Sequence, residues 1–198
     1  LDRKWMEEFG GLIGLRVSDL IDIYKFKKTD LNIYTYPDQN ELENFQVKSI
    51  FLGFFEMWDS LRNYEVAKKN GFSEFHKNIE GCFFNFEKID NYQHGIHDYF
   101  KYLKFGFGRA TDQLSYLIRR GKIKRKEAIL KAQDFEGFYP KSYMNKSLKE
   151  ILGKINMTVD EFNIICDKFT NKNIFKCDQS GKLIKDENGN LIRKYIPN

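Results

Sequence analysis

Lys101-Tyr-Leu-Lys-Phe-Gly-Phe-Gly-Arg-Ala-Thr-Asp112 sets two lysines, two glycines, an arginine and an aspartate among aromatic residues. A plain core helix does not have this composition. Glycine inside a helix costs about 1 kcal/mol relative to alanine. Gly106 and Gly108 lie between two amphipathic segments, so they predict a tight turn or a close backbone approach. Arg109 and Asp112 then open the next helix. A turn that presents backbone N–H groups beside a cation is a seat for an anion.

Working outward, the segment Lys101 to Lys126 carries nine bases and a single acid, Asp112, in a chain whose net charge is only +5. An anionic partner follows: a nucleotide, a phosphorylated sugar, an acidic glycan or a nucleic acid. The plainer alternative for Lys122 to Lys126 is a solvated basic turn. The 198 residues are 41% hydrophobic and 16% aromatic, enough for one domain with a real core or for two small ones. No apolar run reaches the length that spans a bilayer, and these residues carry no secretory-leader pattern, so none is expected within them. Residue 1 is Leu, so a piece of a longer protein is expected. Cys82, Cys166 and Cys177 are far apart and odd in number. They predict a reduced, cytoplasmic compartment and no zinc site.

On the N-terminal side, residues 3–9 predict a short helix stopped by Gly10-Gly11. Ser18 is expected to cap a helix running to about Phe26. Tyr34-Thr-Tyr-Pro37 is extended, because a residue before proline is pushed out of the helical region. Asp38 caps a short helix near Glu41–Phe45. Lys48-Ser-Ile-Phe-Leu-Gly-Phe-Phe55 is a nearly continuous apolar run and predicts a strand of a parallel sheet, buried on both faces. A helix from about Trp58 to Asn70 follows, ended by Gly71. This order suits the end of an α/β domain. Gly81–Phe86 is a second short strand or an apolar loop. Helices are expected over Ile96–Lys104 and Ala110–Arg120, the latter burying Ala110, Leu114, Leu117 and Ile118, with a third from Lys124. Thr158-Val-Asp-Glu161 is a capping box before Phe162, Ile165 and Phe169. Ser180-Gly181 and Asn188-Gly189 give Ile174–Ile196 a hairpin pattern. No internal repeat is expected.

Three groups of residues carry chemistry. Trp58, Asp59 and Ser60 directly follow the expected strand, where open α/β sheets bind ligands. Capping of the next helix explains Asp59 or Ser60 equally well. His94 and His97 lie at the head of a helix with Asp98. Their spacing can hold a metal, but a third ligand is missing nearby, so no metal site is expected and a proton-handling role is the functional alternative. Lys104, Arg109 and Asp112 are the main candidates. Lys104 offers a point charge to phosphate, and Arg109 a fork to carboxylate or phosphate. The alternative for Arg109 and Asp112 is a simple salt bridge one helical turn apart. Phosphate-loop, dinucleotide, zincin and nucleophile-elbow motifs do not occur.

Three stretches resemble the N-acetyl sugar amidotransferase family of PP-loop ATPases. The first is Tyr36-Pro37 with Ile50-Phe-Leu-Gly-Phe-Phe55 and Trp58-Asp-Ser-Leu-Arg-Asn63. The second, the most specific, is the eighteen residues Gly95 to Asp112. The third is Ile118-Arg-Arg-Gly-Lys-Ile123 with Glu127-Ala128, Phe135-Glu-Gly137 and Asp160-Glu-Phe162. The resemblance covers roughly residues 3 to 170. It implies an enzyme of lipopolysaccharide O-antigen or pseudaminic-acid-type flagellin glycan biosynthesis that turns an acetamido group into an acetamidino group. ATP with Mg2+ would adenylylate the amide oxygen. Ammonia from a glutaminase partner, resembling the histidine-biosynthesis glutaminase and cyclase pair, would displace AMP.

The implied fold is α/β. Residues 1–75 would be the end of a PP-loop, adenine nucleotide alpha hydrolase-like, parallel-sheet domain. Residues 76–170 would be a helical substrate-binding domain, and residues 171–198 a hairpin tail. The family's SGGxDS loop does not occur here and is expected upstream of Leu1, so this chain resembles the C-terminal half, inactive alone. Asp59, Lys104, Arg109 and Asp112 match motif positions and are assigned catalytic roles. Trp58, Ser60, His94, His97, Gly106 and Gly108 are assigned to a sugar or nucleotide-sugar substrate. No membrane or nucleic-acid partner is expected. The alternative function is a nucleic-acid-binding module, akin to tRNA-modifying PP-loop proteins, using the Arg119–Lys126 patch.

Overall fold

A computed structural model describes residues 3–195 apart from 13, 46, 47 and 49. Two compact units divide it, Leu1–Asn63 and Tyr64–Asn198.

The first unit is a set of short helices: α1 (Arg3–Phe9), α2 (Val17–Asp22), a 3-10 helix (Lys28–Tyr34), α3 (Gln39–Asn44) and α4 (Leu52–Phe55). Asp38 caps α3 as its position predicts. It accepts from the Asn40 amide at 2.9 Å, while its own amide donates to Glu41 at 3.2 Å. Ser18 does not cap α2. It lies inside the helix, and the Arg16 amide donates to Asp19 at 2.8 Å instead.

The expected buried strand over Lys48–Phe55 is not formed. Leu52–Phe55 is one helical turn, and Phe54 is 85% exposed. Its backbone groups are satisfied locally, with the Glu56 amide donating to the Leu52 carbonyl at 3.0 Å. A short apolar run cannot be told from a helical turn by periodicity, and no partner strand exists among the described residues of this unit. The parallel sheet is therefore absent from the described residues. Ser49 of that run, and Ile196 of the expected hairpin, lie outside them.

α5 (Ser60–Lys69) spans the junction, and Gly71 ends it with φ +95°. The second unit is mainly helical. α6 (Gln93–Phe105), α7 (Arg109–Arg119) and α8 (Arg125–Gln133) follow a loop over Gly81–Phe86. A two-stranded antiparallel ribbon comes next, β1 (Ser142–Tyr143) with β2 (Lys146–Ser147), then α9 (Leu148–Gly153) and α10 (Val159–Phe169). Thr158 and Glu161 form the expected capping box on α10, at 3.2 and 2.8 Å. No helix among the described residues is long and apolar enough to cross a membrane.

The core joins Tyr99, Tyr102 and Leu103 of α6 to Leu148 and Leu152 of α9 and Phe162 and Cys166 of α10. Phe175, Leu183 and Leu191 of the C-terminal segment complete it. That segment makes antiparallel bridges Cys177–Leu183 and Lys185–Leu191 about two tight turns, and Phe175–Arg193 closes it. The hairpin pattern is thus realised as two successive turns. A smaller cluster of Ile79, Cys82, Tyr143 and Met144 seats the ribbon. α7 buries Ala110, Leu114 and Leu117 as their periodicity predicts, and also Gln113.

Candidate functional site

Gly106 ends α6 in the left-handed region, φ +75°, its amide donating to the Tyr102 carbonyl at 2.8 Å. Two residues later Gly108 caps α7. The expected turn therefore exists, and it swings Arg109 back across α6. The guanidinium meets Asp98 with two nitrogens, Nε at 3.3 Å and Nη2 at 3.2 Å, and Asp112 through Nη1 at 3.3 Å. Lys101 also pairs with Asp112. His97 Nδ1 lies 3.0 Å from Asp98. The fork expected to hold a ligand's carboxylate or phosphate is thus closed on Asp98, whose side chain is 8% exposed. Burial works against the Arg109 charge, but Asp98 and Asp112 outweigh it and raise the pKa. Arg109 stays charged, and the cluster of Lys101, Arg109, Asp98 and Asp112 is electrically balanced.

The anion seat at the head of α7 is also real, and the protein fills it. The buried Glu136 carboxylate accepts from the Gly108 amide at 2.8 Å, the Thr111 amide at 3.1 Å and the Thr111 hydroxyl at 2.7 Å. A Cβ on Gly108 would stand 3.0 Å from that carboxylate, so a larger residue there would push Glu136 back by a few tenths of an ångström. Arg193 lies 3.6 Å from Glu136 and donates to the Tyr102 hydroxyl at 3.1 Å.

Beside these groups opens a cleft of about 550 Å³, a size usual for small-molecule sites. Tyr99, Tyr102, Phe135, Phe138, Tyr139 and Tyr143 supply aromatic walls, and Asp98 and Arg109 reach it from α6 and α7. Its lining carries four acids, Glu80, Asp98, Asp134 and Glu136, against two bases, Arg109 and Lys141. Such a lining disfavours a phosphate and suits a neutral ligand that offers hydroxyl and amide groups. Burial, then the charge of Asp98, pushes the neighbouring Cys82 thiol up to about 12, so at neutral pH it is held as the protonated thiol, a poor nucleophile. Burial likewise raises Tyr102 and Tyr143, whose phenols remain protonated donors.

The other expected site residues fall as follows. Asp59 caps α5, accepting from the Arg62 amide at 3.0 Å, with Ser60 the first helical residue and Trp58 exposed before it. Lys104 is exposed, its Nζ 4.9 Å from the centre of the Phe169 ring, and does not line the cleft. His94 pairs with Asp90 at 3.0 Å. Gly108 and Arg109 border the cleft, and Gly106 borders a second hollow between α7 and α8. No cluster of three or more His, Cys, Asp or Glu able to hold a metal occurs among the described residues. With the α7 seat taken by Glu136, this donor set does not fit ATP–Mg2+.

Sequence reasoning missed Asp98, Glu136 and Gln113. Gln113 is 3% exposed; its oxygen accepts from the Phe83 amide at 2.6 Å and its nitrogen donates to Glu87 at 2.8 Å. It pins the loop before α6. An amide on the apolar face of α7 was the available signal.

The chain has no match among curated proteins. Residues 61–187 match the family described as LPS biosynthesis protein WbpG-like, C-terminal domain. That stretch contains α7, Glu136 and most of the cleft, and the chain belongs to this WbpG-like family of LPS biosynthesis proteins.

Proposed function

We propose that this chain is the sugar-holding part of an amidotransferase that converts the N-acetyl group of a bacterial surface sugar into an acetamidino group. ATP and ammonia are consumed, and AMP and pyrophosphate leave. The acetamido sugar lies in the aromatic cleft, above the balanced Asp98–Arg109 pair. ATP and Mg2+ are held by another part of the complete protein, because the residues here do not suit them. A glutaminase-type partner supplies the ammonia.

The observation that carries the reading is the cleft itself, aromatic, rich in hydrogen-bonding groups and short of cations, within a domain of an LPS biosynthesis family. Flat aromatic walls suit the apolar faces of a sugar ring, and a few convergent polar groups fix its orientation. The test supplies the complete protein with ATP, Mg2+, ammonium and a panel of UDP-linked 2-acetamido sugars. Mass spectrometry follows the exchange of the amide oxygen for nitrogen. AMP release with that exchange supports the proposal, and AMP release without it argues against it.

A further inference from the structure

Cys177-Asp-Gln-Ser-Gly-Lys-Leu-Ile184 and Lys185-Asp-Glu-Asn-Gly-Asn-Leu-Ile192 are two copies of one eight-residue pattern. The copies fold alike. Asp178 accepts from the amides of Ser180 and Lys182 at 2.8 and 3.0 Å; Asp186 accepts from those of Asn188 and Asn190 at 2.8 Å each. Both glycines have positive φ, and both leucines, Leu183 and Leu191, are buried in the core. If the repeat served only to bury its leucines, the two turns would be interchangeable.

They are not. The first turn is a surface feature, and its Lys182 is exposed. The second borders the cleft with Asn188 and Asn190. Asn190 replaces Lys182 of the first copy, and its carboxamide works in both directions. The oxygen accepts from the Tyr139 amide at 2.7 Å, and the nitrogen donates to Asp186 at 2.9 Å. A lysine there could not accept that bond. Tyr139 is itself a cleft wall, its hydroxyl donating to Asn163 at 2.8 Å. Asn190 therefore joins the second turn to the aromatic wall. Asn188, two residues earlier, is exposed at the rim, and its carboxamide has no partner among the described residues.

We propose that Asn188 is a specificity-determining contact to the sugar, offering both a donor and an acceptor to its hydroxyl or acetamido groups, and that Asn190 is the positioning residue that holds it there. This rests on the reading that the cleft holds an acetamido sugar. The family match runs to residue 187, so Asn188 lies just past the matched residues.

The test uses the complete protein and the UDP-linked 2-acetamido sugar it turns over fastest. Asn188→Ala should raise the sugar KM at least about fivefold while leaving the KM for ATP and the melting temperature unchanged, the mark of lost substrate binding. Asn190→Ala should raise the same KM, and Lys182→Ala, at the matching place in the first turn, should not. A wild-type sugar KM in Asn188→Ala overturns the inference and leaves the amidotransferase reading intact. Failure of the wild-type protein to convert any sugar of the panel overturns that reading and the inference with it.

Discussion

Replacing Glu136 by glutamine removes the charge that the head of α7 closes on and keeps the shape. The native carboxylate is 6% exposed and accepts three hydrogen bonds, two from backbone amides at the start of a helix, with Arg193 3.6 Å away. Glutamine can keep its oxygen toward the Gly108 and Thr111 amides. Both bonds then fall from charge-assisted to neutral strength, a loss of about 0.5 kcal/mol or more each. The helix dipole loses its counter-charge, about 0.5 kcal/mol in a buried setting, and the amide nitrogen now faces Arg193. The total is about 2 kcal/mol. For a chain of this size that lowers the melting temperature by about 4–8 °C. Calorimetry of wild-type and Glu136→Gln proteins reads this directly. A melting temperature within about 1 °C of wild type would refute the claim that Glu136 fills the α7 anion seat.

Arg109→Lys keeps the charge but loses the fork on Asp98, so kcat/KM of the complete enzyme should fall at least about tenfold; turnover at the wild-type rate would remove Arg109 from the site. Gln113→Ala leaves the Phe83 amide without its acceptor and should cost about 2 kcal/mol in urea unfolding, whereas a neutral result would mean the 81–87 loop is held elsewhere. Stability should also fall in alkali. Burial raises the Cys82 and Cys166 thiols from 9.0 to about 12, so above pH 9 the unfolded chain loses protons that the folded chain keeps, and the fold weakens from pH 9 toward 12. A urea midpoint equal at pH 8 and pH 10 contradicts that burial.

Most helices of the second unit were legible because their signals are local, but α9, with its own Ser147–Glu150 capping box, and the β1–β2 ribbon were missed. The α10 capping box, the glycines after α5 and α6, and the Ala110–Leu114–Leu117 stripe each act within a few residues. The run Ile50–Phe55 misled because its apolar residues carry no period that separates strand from helical turn. At the site, sequence pointed to the turn at Gly106–Gly108 and to Arg109 with Asp112. It could not show that the anion in the seat is Glu136, 28 residues on, or that Arg109 forks onto Asp98 in the preceding helix. Both acids lie in stretches that carry the family resemblance, Gly95–Asp112 and Phe135–Gly137, but nothing local pairs them with the start of α7; tertiary packing does. The eight-residue repeat in the tail was readable and was overlooked, because its two copies share only the aspartate, the glycine and the closing Leu-Ile.

The central claim is that the cleft beside Asp98 and Arg109 receives an acetamido sugar. Titration of the isotopically labelled chain with UDP-linked 2-acetamido sugars, followed by amide NMR, tests it most directly. Saturable shifts should gather at Asp98, Gly108, Tyr139, Asn188 and Asn190, with the amides of Lys122 to Lys126 unmoved. Absence of shifts with every sugar, or shifts confined to Arg119–Lys126, would contradict it.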